Sequence, residues 1–281
     1  MGNRNYAELE NTARKIRIDL LRAIHEASSG HPGGSLSATD IITALYFDVM
    51  NIDPKDPHMK GRDRFVLSKG HAVPALYAAL GERGYFNVAD MMTLRQTGSA
   101  FQGHPNLNKV PGIDMSTGSL GQGFSAATGM ATAGKIDGDK GRVYALLGDG
   151  ELQEGIIWEA ALSAAQRRLD NLTAIVDFNG LQIDGNITDV MNPEPVADKF
   201  VAFGWNVIVV KNGHDHSQIK DAIEKAKTVK GKPTMVVCKC IKGKGVSFME
   251  NNYSWHGTAP NQEQRDKAIA ELNAYLAELE A

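Results

Sequence analysis

The chain has 281 residues, of which 42% are hydrophobic and 22% charged, with a formal net charge of −3. This composition is typical of a globular protein and argues against a basic protein that binds nucleic acid. No apolar stretch approaches the roughly 20 residues that a membrane helix needs, and the first residues lack an apolar signal region. Cys238 and Cys240 lie in one apolar run, which fits core thiols rather than a disulfide framework or a zinc site. We therefore expect a cytoplasmic protein that binds neither nucleic acid nor membranes.

The hydrophobic pattern predicts helices that alternate with short strands. Helical periodicity predicts helices at 6–27, 38–50, from 74 onward, and at 87–96, 121–135, 153–168, 215–230 and 261–280. Short apolar runs predict strands at 65–68, 143–147, 172–176, 207–210 and 235–240. A Gly/Ser-rich loop is expected before residue 38, and 97–119 is expected to be irregular. The alternation predicts one α/β domain with a mainly parallel sheet that is covered by helices on both faces.

Two side chains with oxygen atoms follow neighbouring strands of this predicted sheet. Asp149 comes just after strand 143–147, and Asn179 follows strand 172–176, about the length of one βαβ unit further on. Ligands of open parallel sheets bind beyond the carboxyl ends of the strands, so both side chains are expected at one rim. Mg²⁺ prefers oxygen ligands and is often shared with phosphates. Asp149, Asn179 and a backbone carbonyl near Leu181 are therefore candidate ligands of a magnesium–phosphate site.

Glycines around these residues leave room for a ligand against the backbone. Gly148 and Gly150 enclose Asp149, and a second glycine-rich segment, 118–123, opens a predicted helix. Gly-Asp-Gly by itself is more often an ordinary turn. The strand before it, the helix after it and the Asn-Gly turn that closes the crossover favour a binding site. The sequence contains neither a dinucleotide fingerprint nor a P-loop, which disfavours a nucleotide-binding protein.

Four of the eight histidines, His31, His71, His104 and His256, lie in predicted loops beside Gly30, Gly70, Gly103 and Gly257. One loop histidine is more often inert, but four that converge would suit binding and proton transfer on a polyhydroxylated substrate. His214 and His216 form an H-x-H sequence without a third ligand at metal spacing, and we expect both on the surface. His25 and His58 are expected to be structural.

In their order along the chain, these motifs resemble transketolase. The Gly-Asp-Gly sequence followed by Asn179 resembles the thiamine diphosphate motif of the transketolase superfamily. The segments that carry the closer resemblance are GHPGG at 30–34, SKGH at 68–71, GHP at 103–105, TGSLGQG at 117–123, GDGELQEG at 148–155 and HG at 256–257. The resemblance covers about residues 10–260. It implies the diphosphate-binding type of thiamine-diphosphate-binding fold, and a magnesium-dependent transferase that moves a two-carbon ketol unit from a ketose phosphate to an aldose phosphate.

The resemblance also implies roles for individual residues. The implied magnesium ligands are Asp149, Asn179 and the carbonyl of Leu181. The implied catalytic residues line the substrate channel and are His31, His104 and His256. The implied cofactor contacts are His71, Gly118, Ser119, Leu120, Asp149, Gly150, Glu154, Asn179 and His256. Glu154 resembles a buried acid that links paired cofactor sites across the subunit interface.

A complete transketolase resembles this chain followed by a pyrimidine-binding domain and a C-terminal domain. We therefore expect residues 1–281 to be a single diphosphate-binding domain, the N-terminal subunit of a split transketolase. In the family, the second domain supplies the glutamate that hydrogen-bonds the aminopyrimidine of the cofactor. The resemblance thus implies a C-terminal partner chain and a dimer of heterodimers, a heterotetramer. The sugar phosphates remain open, with the pentose phosphates of the pentose phosphate pathway as the default expectation.

Two other functions remain open at this point. A relative of 1-deoxyxylulose-phosphate synthase, or a 2-oxo acid dehydrogenase component, would share the Gly-Asp-Gly and Asn motif, although the Gly-His-Pro loops favour transketolase. A non-catalytic subunit could bind magnesium diphosphate for regulation or assembly, but such a subunit would not need the four loop histidines.

Overall fold

A five-stranded sheet lies at the centre of the computed structural model, which describes residues 6–279, with side chains described as far as residue 274. The strands of this sheet are β1 (Arg64–Leu67), β2 (Val143–Gly148), β3 (Leu172–Phe178), β6 (Asn206–Val210) and β7 (Thr234–Lys239). Their spatial order is β1-β2-β3-β7-β6, and every neighbouring pair is parallel. A small antiparallel hairpin, β4 (Leu181–Gln182) and β5 (Gly185–Asn186), follows β3. The expected parallel α/β sheet is confirmed.

Nine α-helices accompany the strands within the described residues. They are α1 (Tyr6–Ala27), α2 (Pro32–Ala44), α3 (Val73–Arg83), α4 (Gln122–Ile136), α5 (Gly155–Gln166), α6 (Ile187–Met191), α7 (Val196–Ala202), α8 (His216–Thr228) and α9 (Gln262–Leu279). Short 3₁₀ turns lie at Gly70–Ala72, Val88–Thr93, Gly150–Gln153 and Tyr253–Trp255, and a π turn at Leu45–Val49. None of the described helices is long and apolar enough to cross a membrane.

Alternating side chains of the strands build a hydrophobic core on each face of the sheet. In β2, Tyr144 and Leu146 belong to the core that also contains residues of α1, α2 and α3. Val143, Ala145 and Leu147 belong to the opposite core, which contains residues of α4, α5 and α7. This period of two follows from the pleat of the strand, and it shows that helices cover both faces.

The second helix begins earlier than the sequence predicted. Residues 32–37, expected in a loop, form the first turns of α2, with Pro32 at the N-terminal position that proline favours. Every residue of α2 is buried. A Cβ atom at Gly33 would lie 2.9 Å from the carbonyl oxygen of Trp255, so glycine is needed there for close packing. Sequence reasoning took these glycines for a loop signal.

Two other predicted helices differ in detail. The segment predicted as a helix at 87–96 contains the 3₁₀ turn Val88–Thr93. The helix predicted at 153–168 is preceded by the 3₁₀ turn Gly150–Gln153 and is itself shorter, Gly155–Gln166. Cys238 is buried and Cys240 half-buried, and both are free thiols.

Candidate active site

The residues at the carboxyl ends of β1, β2, β3 and β7 surround a cavity of about 450 Å³. The register of β2 and β3 pairs Gly148 with Asp177, so the chain segments that follow them leave the sheet side by side. Asp149 and Asn179 both line the cavity, as the βαβ argument predicted. The wall also contains Lys69 from the end of β1 and Lys242 from the segment after β7. Four segments far apart in sequence therefore meet at one rim of the sheet, where such folds bind ligands.

Asp149 is almost completely buried and is held by backbone amides. The amide of Gly150 donates to its Oδ1 at 2.9 Å, and the amide of Gly180 donates to Oδ2 at 2.5 Å. Burial, together with the charge of Asp177, raises the pKa of Asp149 to about 6. The fold thus keeps a carboxylate in a place where its charge is costly, which is typical of a functional group.

Asn179 and the buried residues around it orient the neighbouring oxygen atoms. The amide of Leu181 donates to Asn179 Oδ1 at 3.2 Å, and Asn179 Nδ2 donates to Asp177 Oδ1 at 3.3 Å. Asp177 accepts further hydrogen bonds from Ser37 Oγ, at 2.6 Å, and from the ammonium group of Lys69. Burial opposes the charge of Asp177, but Lys69 holds the pKa of Asp177 below its usual value. Sequence reasoning missed this pair, because its members are 108 residues apart.

Lys242 is a second buried cation that sequence reasoning missed. It is 2% exposed, and its Nζ donates to the carbonyl oxygen of Leu181 and hydrogen-bonds Nδ1 of His256, both at 3.0 Å. Burial lowers the pKa of Lys242 to about 8. Both of these partners are neutral, so the ammonium group keeps its charge available for an anion in the cavity. The sequence signal was weak, since Lys242 stands in an ordinary-looking Lys-Gly-Lys-Gly segment.

The four loop histidines meet at this cavity, as their shared pattern predicted. The ring centroids of His31, His71 and His256 lie between 5.0 and 5.4 Å from one another, and His104 lines the same space. Burial, with smaller contributions from nearby cations, lowers the pKa of His31 to about 4 and that of His256 to about 3. The pKa values of His71 and His104 are lowered for the same main reason. At neutral pH these rings are therefore neutral hydrogen-bonding groups.

The remaining predicted cofactor contacts lie at or beside the cavity. Leu120, Gly150 and Leu181 line it, whereas Gly118 and Ser119 belong to the adjoining turn. A Cβ atom at Gly118 would lie 3.4 Å from the ring of His104, so this turn packs directly on one of the histidines.

Glu154, expected to be buried across a subunit interface, is free of such burial in the single chain, and its role there stays a prediction. Its side chain lines the cavity at the N-terminus of α5, but the residue is exposed in this chain. The buried acid of the segment is Glu151, which accepts hydrogen bonds from Ser68 Oγ at 2.5 Å and from the amide of Gly121 at 2.7 Å. Burial raises the pKa of Glu151. Glu151 thus joins the ends of β1 and β2 to the start of α4, whereas Glu154 would be buried only against another chain.

The expectation that His214 and His216 lie on the surface is wrong. The side chains are 7% and 1% exposed, respectively, and both face Asp40 of α2. His214 Nδ1 lies 2.6 Å from Asp40 Oδ2. Sequence reasoning looked for a third metal ligand near the H-x-H sequence, whereas the partner is a carboxylate 174 residues away.

The cavity suits a diphosphate group with a bound divalent cation. Lys69 and Lys242, two buried lysines, line the cavity. Gly148 and Gly150 also line it, and because they have no side chains a ligand can approach the backbone there. Within residues 6–279 there is no cluster of three or more His, Cys, Asp or Glu side chains that could hold a metal. A cation would therefore depend on the Asp149 carboxylate, on neutral oxygen atoms and on the phosphates themselves. Mg²⁺ is commonly bound in this way.

These features define a protein that binds an anionic, phosphate-bearing cofactor at the rim of a parallel sheet. The family model described as the thiamine diphosphate binding domain of transketolase matches residues 8–274. The chain therefore belongs to the transketolase family, whose members are transferases.

Two similar proteins are named as separate subunits. The 6-deoxy-6-sulfo-D-fructose transketolase subunit of Clostridium sp. (strain MSTE9) is 47% identical over 265 residues, which cover 94% of this chain and 96% of that subunit. An apulose-4-phosphate transketolase subunit of Phocaeicola vulgatus is 42% identical, over 97% of this chain and 96% of its own length.

Longer transketolases match only in part. Human transketolase is 41% identical over 95% of this chain but only 42% of its own length. The solved transketolase of Leishmania mexicana superimposes with a TM-score of 0.88 at 34% identity, and the match covers 94% of this chain and 41% of the other. This chain thus spans less than half of the length of those transketolases.

Proposed function

We propose that this chain is the diphosphate-binding subunit of a split transketolase that depends on thiamine diphosphate and Mg²⁺. The observation that carries the proposal is that Asp149, Asn179, two buried lysines and four histidines line the same cavity. A subunit that served only to anchor a diphosphate would need Asp149, Asn179 and the lysines, but it would not need the histidines. The Gly-His-Pro loops that bring two of these histidines favour transketolase over its superfamily relatives.

The residues of the cavity divide into two sets in this proposal. Asp149, Asn179 and the Leu181 carbonyl hold the magnesium ion, and the ion with the two lysines and His71 holds the diphosphate. Gly118, Ser119, Leu120 and Gly150 present backbone to the cofactor. Thiamine diphosphate supplies the carbanion-stabilising chemistry that moves a ketol unit between sugars. His31, His104 and His256 bind the hydroxyl groups of the sugar and position them for proton transfer.

The proposed partner is a C-terminal chain that carries the pyrimidine-binding part of the enzyme. Support comes from the named subunits, which match along 96% of their own length, and from the longer transketolases, which match along about two fifths. The exposed Glu154 on the cavity rim is available to a second chain. In this proposal residues 1–281 are one diphosphate-binding domain, and two copies of each chain form a dimer of heterodimers in the cytoplasm, where its free thiols stay reduced.

The proposed donors are ketose phosphates and the acceptors aldose phosphates, as in the pentose phosphate pathway. A sulfonated ketose is a second candidate donor, because one of the similar subunits, at 47% identity, is named for 6-deoxy-6-sulfo-D-fructose. Both donors carry an anionic group at the end of a polyhydroxylated chain. The histidines of this cavity would serve either one.

The proposal is tested by measuring ketol transfer with this chain, with its candidate partner, and with both together. We expect activity only in the mixture, and we expect it to disappear when thiamine diphosphate or Mg²⁺ is omitted. Xylulose 5-phosphate with ribose 5-phosphate as acceptor, and 6-deoxy-6-sulfo-D-fructose with ribose 5-phosphate or glyceraldehyde 3-phosphate as acceptor, separate the two donor classes. Binding of the cofactor without transfer from either donor would contradict the proposed reaction.

A further inference from the structure

A buried group of three charged or polar side chains lies outside the lining of the active-site cavity and has no role in the proposal above. The guanidinium of Arg17 contacts both carboxylate oxygens of Asp40, at 3.1 and 2.5 Å, and His214 Nδ1 lies 2.6 Å from the same carboxylate. All three side chains are at most 8% exposed. Burial alone would raise the pKa of Asp40, but Arg17 and His214 hold it well below its usual range.

The hydrogen-bond partners determine which nitrogen of His214 carries the hydrogen. The backbone amide of Ile241 lies 2.8 Å from His214 Nε2, and a peptide N–H can only donate. Nε2 must therefore accept, so the ring hydrogen is on Nδ1 and is donated to Asp40. His214 thus connects a fixed carboxylate to the backbone immediately before Lys242.

Close packing keeps the loop that carries His214 in this position. The amide of Gly213 donates to the carbonyl oxygen of Lys239 at 2.7 Å. A Cβ atom at Gly213 would lie 2.4 Å from Cys240 Sγ, so only glycine allows this approach. The loop before α8 therefore holds the end of β7 on both sides of Cys240.

Lys242 directly follows Ile241, whose backbone His214 holds, and its side chain reaches the cavity. Its ammonium donates to the Leu181 carbonyl and to Nδ1 of His256, both at 3.0 Å. Since an ammonium group has no lone pair, His256 Nδ1 must accept, and the ring hydrogen of His256 is on Nε2. We propose that His214, oriented by Asp40, is a positioning residue for Lys242, which in turn fixes His256 as a hydrogen-bond donor into the cavity. The consequence for catalysis rests on the proposed function, whereas the hydrogen-bond relay does not.

His216 provides a matched control in the same region. Its side chain is 1% exposed, and its Nε2 lies 3.7 Å from the same carboxylate of Asp40. Among the described residues, neither of its ring nitrogens has a hydrogen-bond partner. The substitution His216→Phe therefore removes an equally buried imidazole beside Asp40 without removing a bond to the segment that leads to Lys242.

The relay is tested on the full chain by nuclear magnetic resonance of ¹⁵N-labelled histidine rings. His256→Gln identifies the signals of His256 by their loss. We expect the wild type and His216→Phe to show His256 with its hydrogen on Nε2 and an accepting Nδ1. In His214→Phe the Nδ1 signal should shift as Lys242 withdraws, and His214→Gln, whose amide oxygen can accept from Ile241, should restore it. Unchanged His256 signals in His214→Phe would overturn the proposal.

Cofactor binding provides a second readout on the complex with the partner chain. The Kd for thiamine diphosphate in the presence of Mg²⁺ should rise about tenfold in His214→Phe, the size expected when one hydrogen bond to the site is lost. His216→Phe and His214→Gln should stay within about threefold of the wild type, while urea unfolding separates effects on stability. Equal losses in the two Phe variants would contradict a positioning role. If the wild-type complex bound no thiamine diphosphate, the proposed function would fail, and the ring signals would still decide on the relay.

Discussion

Replacing Lys69 by methionine should destabilise the chain strongly, because it leaves Asp177 as an uncompensated buried carboxylate. The Lys69 side chain is 3% exposed and that of Asp177 is completely buried. Breaking such a pair by removal of one partner costs about 3–5 kcal/mol. Asp149 lies close enough for the charge of Asp177 to raise its pKa, so loss of the cation affects two carboxylates. We therefore expect a loss of about 4 kcal/mol in the free energy of unfolding at neutral pH.

The assay is urea unfolding of the full chain without cofactor, followed by circular dichroism. Asp177→Asn alone should also destabilise, since it leaves Lys69 buried without its anion. The double variant Lys69→Met/Asp177→Asn should lose less than the sum of the two single losses by about 2–3 kcal/mol, the coupling of contacting residues. Lys135→Met is a control on an exposed pair with Asp170, and its cost should stay below about 1 kcal/mol.

The loss in the free energy of unfolding caused by Lys69→Met should depend on pH with a definite sign. In the wild type Lys69 lowers the pKa of Asp177 below 3.8, so this stabilisation is present above pH 3.8 and is lost as the pH falls further. Without Lys69, burial raises the pKa of Asp177 instead, and protonation of Asp177 relieves the buried charge. The loss should therefore be larger at pH 8 than at pH 5. A loss below about 1 kcal/mol at neutral pH, or additive single losses, would refute this reasoning.

Three further predictions concern the packing of α2, the proposed magnesium ligand Asp149 and the histidines of the cavity. Gly33→Ala should destabilise the chain by about 1–3 kcal/mol in urea unfolding because its Cβ would lie 2.9 Å from Trp255 O, whereas Gly155→Ala, with no atom within 4 Å, should not destabilise it. Asp149→Asn should abolish magnesium-dependent binding of thiamine diphosphate by the complex in calorimetry, and unchanged affinity would exclude Asp149 as a ligand. The lowered pKa values of His31 and His256 make their contribution to the free energy of unfolding fall as the pH decreases from 6.5 towards about 4, whereas the raised pKa of Asp149 acts in the opposite direction. The free energy of unfolding of His31→Gln/His256→Gln relative to the wild type should therefore rise as the pH falls through this range, and a difference that is independent of pH would contradict the prediction.

The parts of the fold that the sequence predicted are those with local patterns. The strand Val143–Gly148, the helix Gly155–Gln166 and the strand Leu172–Phe178 have the apolar runs and the spacing of a βαβ unit. That unit fixes the direction of both strands, and it places Asp149 and Asn179 at one rim. The loop histidines could be found for a similar reason, since each stands beside a glycine.

The parts that sequence reasoning missed depend on contacts between distant segments. Position 33 lies in a helix but requires glycine, because the carbonyl of Trp255, more than two hundred residues later, leaves no space for a Cβ atom. His214 is buried because Asp40 lies opposite it in the folded chain. Lys242 has no local pattern that separates it from a surface lysine. Only the packed structure shows that its ammonium reaches Leu181 and His256.

The central claim, that this chain supplies the diphosphate-binding half of a two-chain transketolase, is tested most directly by the ketol-transfer assay with separately purified chains. The account predicts no transfer by either chain alone, and transfer by the mixture only with both thiamine diphosphate and Mg²⁺ present. Transfer by this chain alone, or transfer by the mixture that is independent of thiamine diphosphate, would contradict it.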